Sequence, residues 1–372
     1  MPRRTLLLLA QTPPPHHGQS AMVQRVLDTL QADPDWRVCH VNLRLSATSD
    51  DIGEPQPRKL AALAACRREA LAVIRRERPD AVYYVPAPGQ LVPMLRDALL
   101  LPAIRARVPH TILHWQAVGL SERVQALPLP LRLAVRRIYR HATLSLVQSP
   151  RVGFDALYFA SEQAVVLPNG LPDACPDAAE VIAARAARLD DPTHRRELLY
   201  LSNLQIEKGV LTAMAAAHEL ARHGPVRLRL AGGYVSQQER AEIEAALHHP
   251  GPATIEYVGF ADEAHKRTLL AEADALVFPT HYRNEGFPLV LIEALNAGLP
   301  VVTTPWRGIP DLLPTDYPHY APEPSPVAVA NALRVLFAQD RTALMHQLRA
   351  HYEAHYALEV FERGLRDALE QI

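Results

Sequence analysis

Lysine is almost missing from this sequence. Its 372 residues contain three, Lys59, Lys208 and Lys266, although Lys plus Arg together number 39. Cysteine is as rare: Cys39, Cys66 and Cys175 stand far apart, with no C-x-x-C pair. That spacing argues against a disulfide framework or a cysteine zinc site and fits a reducing compartment. Net charge is nearly absent too, at −1, because Asp plus Glu number 40. Such a balance excludes a protein that blankets nucleic acid, so no nucleic-acid partner is expected. Long apolar runs are lacking as well. The start, MPRRTLLLLAQTPPP, imitates a signal peptide. Its apolar run, residues 6–10, is shorter than the roughly 7–15 residues of an h-region, and no small-residue cleavage site follows. No stretch approaches the ~20 apolar residues of a membrane span. A first buried strand is the better reading of the run. There is also no G-x-G-x-x-G, no G-x4-G-K-[ST] and no H-E-x-x-H. A D-x-D at Asp33–Asp35 falls between a helix and a strand, and His351 and His355 share a helical face without carboxylate partners. No metal is expected.

What is present is a globular chain, 48% apolar and 21% charged. Short apolar runs alternate with longer helical patterns. Strands are expected at 5–10, 37–43, 81–86, 111–115, 143–148 and 164–167, then at 198–202, 227–231, 254–258, 275–279 and 301–304. Amphipathic stretches such as 59–78 and 91–107 lie between them. Continuous apolar strands separated by helices mean parallel sheets covered on both faces. The fold class is therefore α/β, with two doubly wound Rossmann-like domains facing across a cleft. The expected division is an N-terminal domain over 1–170, a Pro-rich linker over 171–197 and a C-terminal domain over 198–350. A last helix, 351–372, is expected to return to the first domain.

Ligands of such sheets bind beyond the carboxyl ends of the strands. The most informative loop there is HYRNEGFPLVLIEALNAGLPVVTT, residues 281–304, with Glu285 and Glu293 in an E-x7-E pattern. Eight helical steps of ~100° would set the two about 80° apart, so they share no helical face. Glu285 is expected before the helix and Glu293 within it, with Pro288 in the first turn and Gly286 allowing close approach of a ligand. A helix N-terminus at a strand end suits a diphosphate.

This loop, with GFP after the first glutamate and EALNAGLPVV around the second, resembles glycosyltransferase family 4. The resemblance implies the GT-B fold and a metal-independent, cofactor-free hexosyltransferase that retains the anomeric configuration of a nucleotide-sugar donor. It implies that Glu285 holds the donor sugar and Glu293 the ribose, beside the backbone of Phe287, Leu289 and Val290. YLSNLQIEKGVLTAM, residues 200–214, is similar to the family's Gly-Arg-x5-Lys-Gly stretch. Lys208 and Gly209 match, and Asn203 stands where the diphosphate-clamping Arg would be. Lys208 supplies a point charge to phosphate; Asn203 offers only a neutral hydrogen bond. Val258 and Gly259 in EYVGF match the family's base-contacting turn, although a plain strand-end turn is an equal reading. In the first half, QTPPPHHGQSAMV keeps Gly18 of the family's two glycines, with Gln19 in place of the second. The His16–His17 pair before it reads as an exposed loop feature. His114 in HTILHWQAVGL stands where the family has a histidine near the sugar and acceptor, or merely satisfies a local hydrogen bond.

The stretch 129–142 sets Arg132, Arg136, Arg137 and Arg140 on a broad face opposite Leu131, Ala134 and Ile138. It is either a solvated surface helix or a contact with an anionic membrane surface. The reading the resemblance supports is transfer of a sugar from a nucleoside-diphosphate sugar, UDP before GDP, to a glycan or lipid-linked acceptor in bacterial surface polysaccharide synthesis. The protein is then cytoplasmic, with a peripheral place on the inner membrane face. A nucleotide-sugar 2-epimerase of the same fold and a non-catalytic nucleotide-sugar-binding subunit are the alternatives.

Overall fold

The computed structural model describes residues 3–14, 18–43 and 57–372, the side chains of 57–59 excepted. The chain divides into two compact units, Met1–Asn169 with Phe361–Ile372, and Gly170–Val360.

The first unit runs β1 (Arg4–Ala10), α1 (Gly18–Ala32), β2 (Trp36–Asn42), α2 (Pro57–Glu77), β3 (Ala81–Tyr84) and α3 (Leu91–Arg105). It continues with β4 (His110–Trp115), α4 (Leu120–Gln125), α5 (Leu129–Tyr139), β5 (Leu144–Val147), α6 (Phe154–Tyr158) and β6 (Gln163–Val166). Its strands form one parallel sheet in the order β2-β1-β3-β4-β5-β6. Leu6, Leu7, Leu8 and Leu9 are all fully buried, which explains an uninterrupted leucine run: each face of β1 needs apolar cover. Asp97 of α3 is also fully buried and accepts from Tyr84 Oη (2.5 Å), Tyr139 Oη (2.9 Å) and the Ala87 N–H (2.7 Å). One carboxylate thus ties α3 and α5 to the sheet.

The second unit opens with α7 (Ala178–Asp190), β7 (Arg196–Leu201), α8 (Val210–Leu220), β8 (Val226–Ala231), α9 (Gln237–Leu247), β9 (Thr254–Gly259) and α10 (Glu263–Glu272). Then come β10 (Ala275–Phe278), α11 (Leu289–Asn296), β11 (Val301–Thr303), α12 (Ile309–Leu312), α13 (Pro326–Ala338) and α14 (Arg341–His355), and α15 (Leu358–Leu369) starts in this unit and continues as part of the first. The parallel order is β11-β10-β7-β8-β9. All eleven expected strands are present, with ends shifted by one or two residues.

The stretch 171–197 is not the free linker that its prolines suggested. It belongs to the second unit and carries α7, whose Arg185 is wholly buried. Arg185 donates to the carbonyls of Leu270 (2.8 Å), Ala273 (2.7 Å), Ala297 (3.1 Å) and Gly298 (3.1 Å). These close the carboxyl ends of α10 and α11, where helix dipoles favour a cation. Burial draws the Arg185 pKa down to about 10, so the group still carries its charge near neutrality. The chain's last residues, Phe361–Ile372, group with the first unit, while 351–360 stay with the second. There Arg366 meets Asp33 at 3.2 Å, and Arg4 donates to the Ile372 carbonyl at 2.8 Å.

Candidate functional site

In the second sheet β7 lies between β10 and β8, so the chain reverses direction across the sheet between β7 and β10. Loops leaving two such strands diverge and open a crevice at their carboxyl ends. The loop after β7 carries Asn203, Lys208 and Gly209; the loop after β10 carries Glu285, Gly286 and Phe287. The backbone joins them directly. The His281 N–H donates to the Glu207 carbonyl at 2.9 Å; from the loop after β11, the Trp306 indole Nε1 donates to the Tyr282 carbonyl at 2.8 Å. Gly209 caps α8 with φ +87°, and a Cβ there would stand 2.4 Å from the Pro279 carbonyl oxygen. Both the backbone conformation and the close approach of the two loops require glycine at this place.

Lys208 and Glu285, 77 residues apart in sequence by their numbers, consequently meet with Nζ–Oε2 3.1 Å. Glu285 is buried, and its Oε2 makes no well-angled hydrogen bond despite the lysine's proximity. The Lys208 ammonium also lies 5.4 Å from the centre of the Tyr282 ring. Burial, then the charges of Glu285 and Glu207, push the Tyr282 phenol up to about 12, so it keeps its proton. The crevice therefore holds one cation against a buried carboxylate with an unused lone pair.

Glu285 precedes α11 and Glu293 lies inside it, as the spacing required. Pro288 is the N-cap rather than a first-turn residue, because its ψ of 121° is extended. No side chain caps this helix, and its first turn presents the N–H groups of Leu289 and Val290, while the Leu291 N–H bonds the Pro288 carbonyl at 3.1 Å. Phe287 is buried with its ring 5.8 Å from that of Tyr356. Glu293 does not wait empty-handed for a ribose: its Oε1 holds Lys266 Nζ at 2.6 Å, and Glu263 holds the same ammonium at 2.7 Å. Burial pulls the Lys266 pKa down, but Glu293 and Glu263 more than offset it, and the net shift is upward. Thus each glutamate of the E-x7-E pattern is paired with one of the chain's few lysines. Lys266 was given no role from sequence; its rarity was the available signal.

The remaining strand ends of this unit are polar and tied together. Asn203 is exposed at the end of β7. Gly232 follows β8, where a Cβ would lie 1.8 Å from the Ser202 carbonyl oxygen. Its N–H bonds the Gly259 carbonyl at 2.9 Å. Gly259 has φ +81° with open space where a Cβ would be, and Val258 is half-buried against the core.

The first unit presents a different set. Gly18 begins α1 and is exposed; His16 and His17 lie outside the described residues. His114 is fully buried on β4, between Tyr83 Oη (2.6 Å from Nδ1) and Gln116 Nε2 (2.7 Å from Nε2). Burial lowers its pKa to about 3, so the ring is neutral at physiological pH. The polar atoms nearer solvent belong to Gln116, half-buried just beyond β4, which accepts from Gln148 Nε2 at 3.1 Å. Gln148 and Ser149, at the end of β5, are buried with Oε1 and Oγ unpaired. These amides went unnoticed in the sequence because single glutamines at strand ends follow no pattern. Among the described residues, no three His, Cys, Asp or Glu side chains gather as a metal would need.

The arginine-rich helix departs from its expected inner face. α5 buries Val135, Ile138 and Tyr139, while Leu131 and Ala134 are exposed with Arg136 and Arg137. The Tyr139–Asp97 bond fixes the carboxyl half of α5 inward and leaves its first turns outside.

Residues 195–339, all within the second unit, match the family model described as Glycosyl transferases group 1. Glycogen synthase of Mycobacterium tuberculosis is 32% identical over 251 residues, 66% of this chain and 57% of that protein. The chain thus spans little more than half the length of this relative. Among solved structures, sucrose-phosphate synthase of Thermosynechococcus elongatus superposes with a TM-score of 0.74 at 18% identity, covering 99% of both chains. HepE of Anabaena in complex with UDP-glucose gives 0.70 at 15% identity, covering 99% of this chain and 100% of that one. The fold is GT-B.

Proposed function

We propose that this chain is a retaining glycosyltransferase of family 4. It transfers a hexosyl group from a nucleoside-diphosphate sugar, UDP before GDP, to a glycan or lipid-linked acceptor of bacterial surface polysaccharide. The observation that carries this reading is the Lys208–Glu285 pair at the reversal point of the second sheet. That HepE was solved with UDP-glucose, and that the identified relative is a glycogen synthase, support a nucleotide-sugar donor and a carbohydrate product.

The donor's diphosphate draws Lys208 away from Glu285 and meets the first-turn N–H groups of Leu289 and Val290, with the neutral Asn203 in support. Glu285, relieved of its partner, turns its free lone pairs to the sugar hydroxyls. Glu293, steadied by Lys266, accepts from the ribose, and the base lies along Val258 and Gly259. The acceptor oxygen then bonds to the anomeric carbon as the bond from that carbon to the phosphate oxygen breaks on the same face. The acceptor's proton passes to the departing phosphate, so neither a metal nor a protein base is required. Lys208 and the helix N-terminus stabilise the charge that develops on the diphosphate. His114, neutral and buried, acts behind Gln116 as a positioning residue.

Incubating the protein with UDP-glucose and GDP-mannose, with and without an oligosaccharide acceptor, and following the products by NMR tests the reading. Slow donor hydrolysis alone and an α-linked product with acceptor are expected from these retained-configuration donors. An epimerised donor identifies a 2-epimerase instead, and an intact donor under every condition identifies a binding subunit.

A further inference from the structure

Helix α3 is apolar on both sides. Its inner face buries Met94, Leu100, Leu101 and Ile104, as a sheet-covering helix should. Its outer face carries Leu91, Val92, Leu95, Ala98, Leu99 and Pro102, all exposed and without one charged or hydrogen-bonding side chain. A helix face this apolar is ordinarily covered by other groups. Here α3 packs between α2 and α5, and among the described residues none covers its outside.

Both neighbours extend the same surface. Leu99 joins Leu60, Leu63 and Leu71 of α2 in a groove edged by Arg67 and Arg68. On α5, Leu129, Leu131 and Leu133 are exposed, and the stripe through Leu129 and Leu133 leads on to Arg136 and Arg137. The outward leucines of the three helices are between 48% and 64% exposed. By contrast, the exposed large apolar side chains of the second unit are Val235, Phe260, Val327 and Val335. Among the described residues, the charge bordering the leucines is basic. α5 contains no acid, the one acid of α3 is the buried Asp97, Glu69 of α2 falls about half a turn from the groove-facing residues, and Glu77 at its end is held by Arg37 (2.7 Å) and Arg76 (2.6 Å).

We infer that this face rests on an anionic lipid bilayer, its leucines entering the acyl boundary and its arginines meeting the headgroups. Two features favour a bilayer over a protein partner. The face offers leucine bordered by arginine but, among the described residues, no exposed aromatic anchor of the kind that carries protein interfaces. Its cations border an apolar centre, the pattern of an interfacial helix whose long basic side chains reach outward to phosphates. The inference rests on the surface of the first unit and is independent of the reaction proposed above.

Co-sedimentation of the full chain with phosphatidylcholine vesicles, with and without phosphatidylglycerol, tests it. Binding to the anionic vesicles alone is expected, weakened by added salt. L91Q/L95Q/L99Q and R136Q/R137Q are each expected to lower the partition coefficient about tenfold or more at low salt, with an unchanged melting curve. The second variant alters only exposed side chains and serves if the first fails to fold. No binding to anionic vesicles, or equal binding by both folded variants, overturns the inference. So does a solution dimer that L91Q/L95Q/L99Q converts to monomer, since the face is then a contact between two copies.

Discussion

The two units repeat one architecture and differ at the carboxyl ends of their strands. In the second unit those ends bear Lys208 against Glu285, Lys266 against Glu293, and an uncapped helix N-terminus. In the first unit the ends of β4 and β5 bear Gln116 and Gln148, backed by a neutral His114. The same scaffold thus presents charge at one sheet and, among the described residues, uncharged amides at the ends of β4 and β5 in the other. A parallel sheet fixes where a ligand can lie; the side chains on its loops decide what charge that ligand carries.

The largest way to break this contrast is to loosen the charged side alone. Arg185→Met leaves four backbone carbonyls of α10 and α11 without their shared donor. A loss of about 3–5 kcal/mol is expected. Hydrogen exchange checks where the loss falls: protection should drop in β10 and α11 while β1, β3 and β4 keep theirs. Uniform loss across both units contradicts the separation.

A smaller effect sharpens the neutral side. The folded pKa of His114, about 3, lies below an unfolded value of about 6.5. The unfolded chain therefore takes up the proton first as pH falls. Stability is full above about pH 6.5 and declines as the pH drops toward the folded value. His114 alone should cost about 2 kcal/mol between about pH 7 and pH 5. His114→Asn is expected to flatten that part of the urea-midpoint profile, whatever its stability at neutral pH. A variant with the wild-type slope shows that the ring is not held neutral.

Much of this architecture is legible in the sequence, for a reason that also marks the limit. A strand buried on both faces must be apolar throughout, so LLLLA at β1 or ALVF at β10 declares itself without tertiary information. The loop with Gly209 stands out because glycine is placed where backbones approach closely. Strand order is not written locally, and the meeting of Lys208 with Glu285 depends on β7 lying beside β10. The role of Arg185 was hidden similarly: its carbonyl partners lie 85 to 113 residues away, and prolines nearby made a linker the natural reading. Lys266 was visible only as a rare residue, since its pairing with Glu293 joins α10 to α11. Apolar pattern reports burial; it does not report which polar groups burial brings together.

The central claim is that the charged crevice of the second unit takes a nucleoside diphosphate through Lys208. Calorimetric titration of UDP into the wild-type chain and Lys208→Ala tests it most directly. Affinity about tenfold or more weaker in the variant, with the melting temperature of the free protein little changed, is the expected result. Equal affinity in both proteins contradicts the claim.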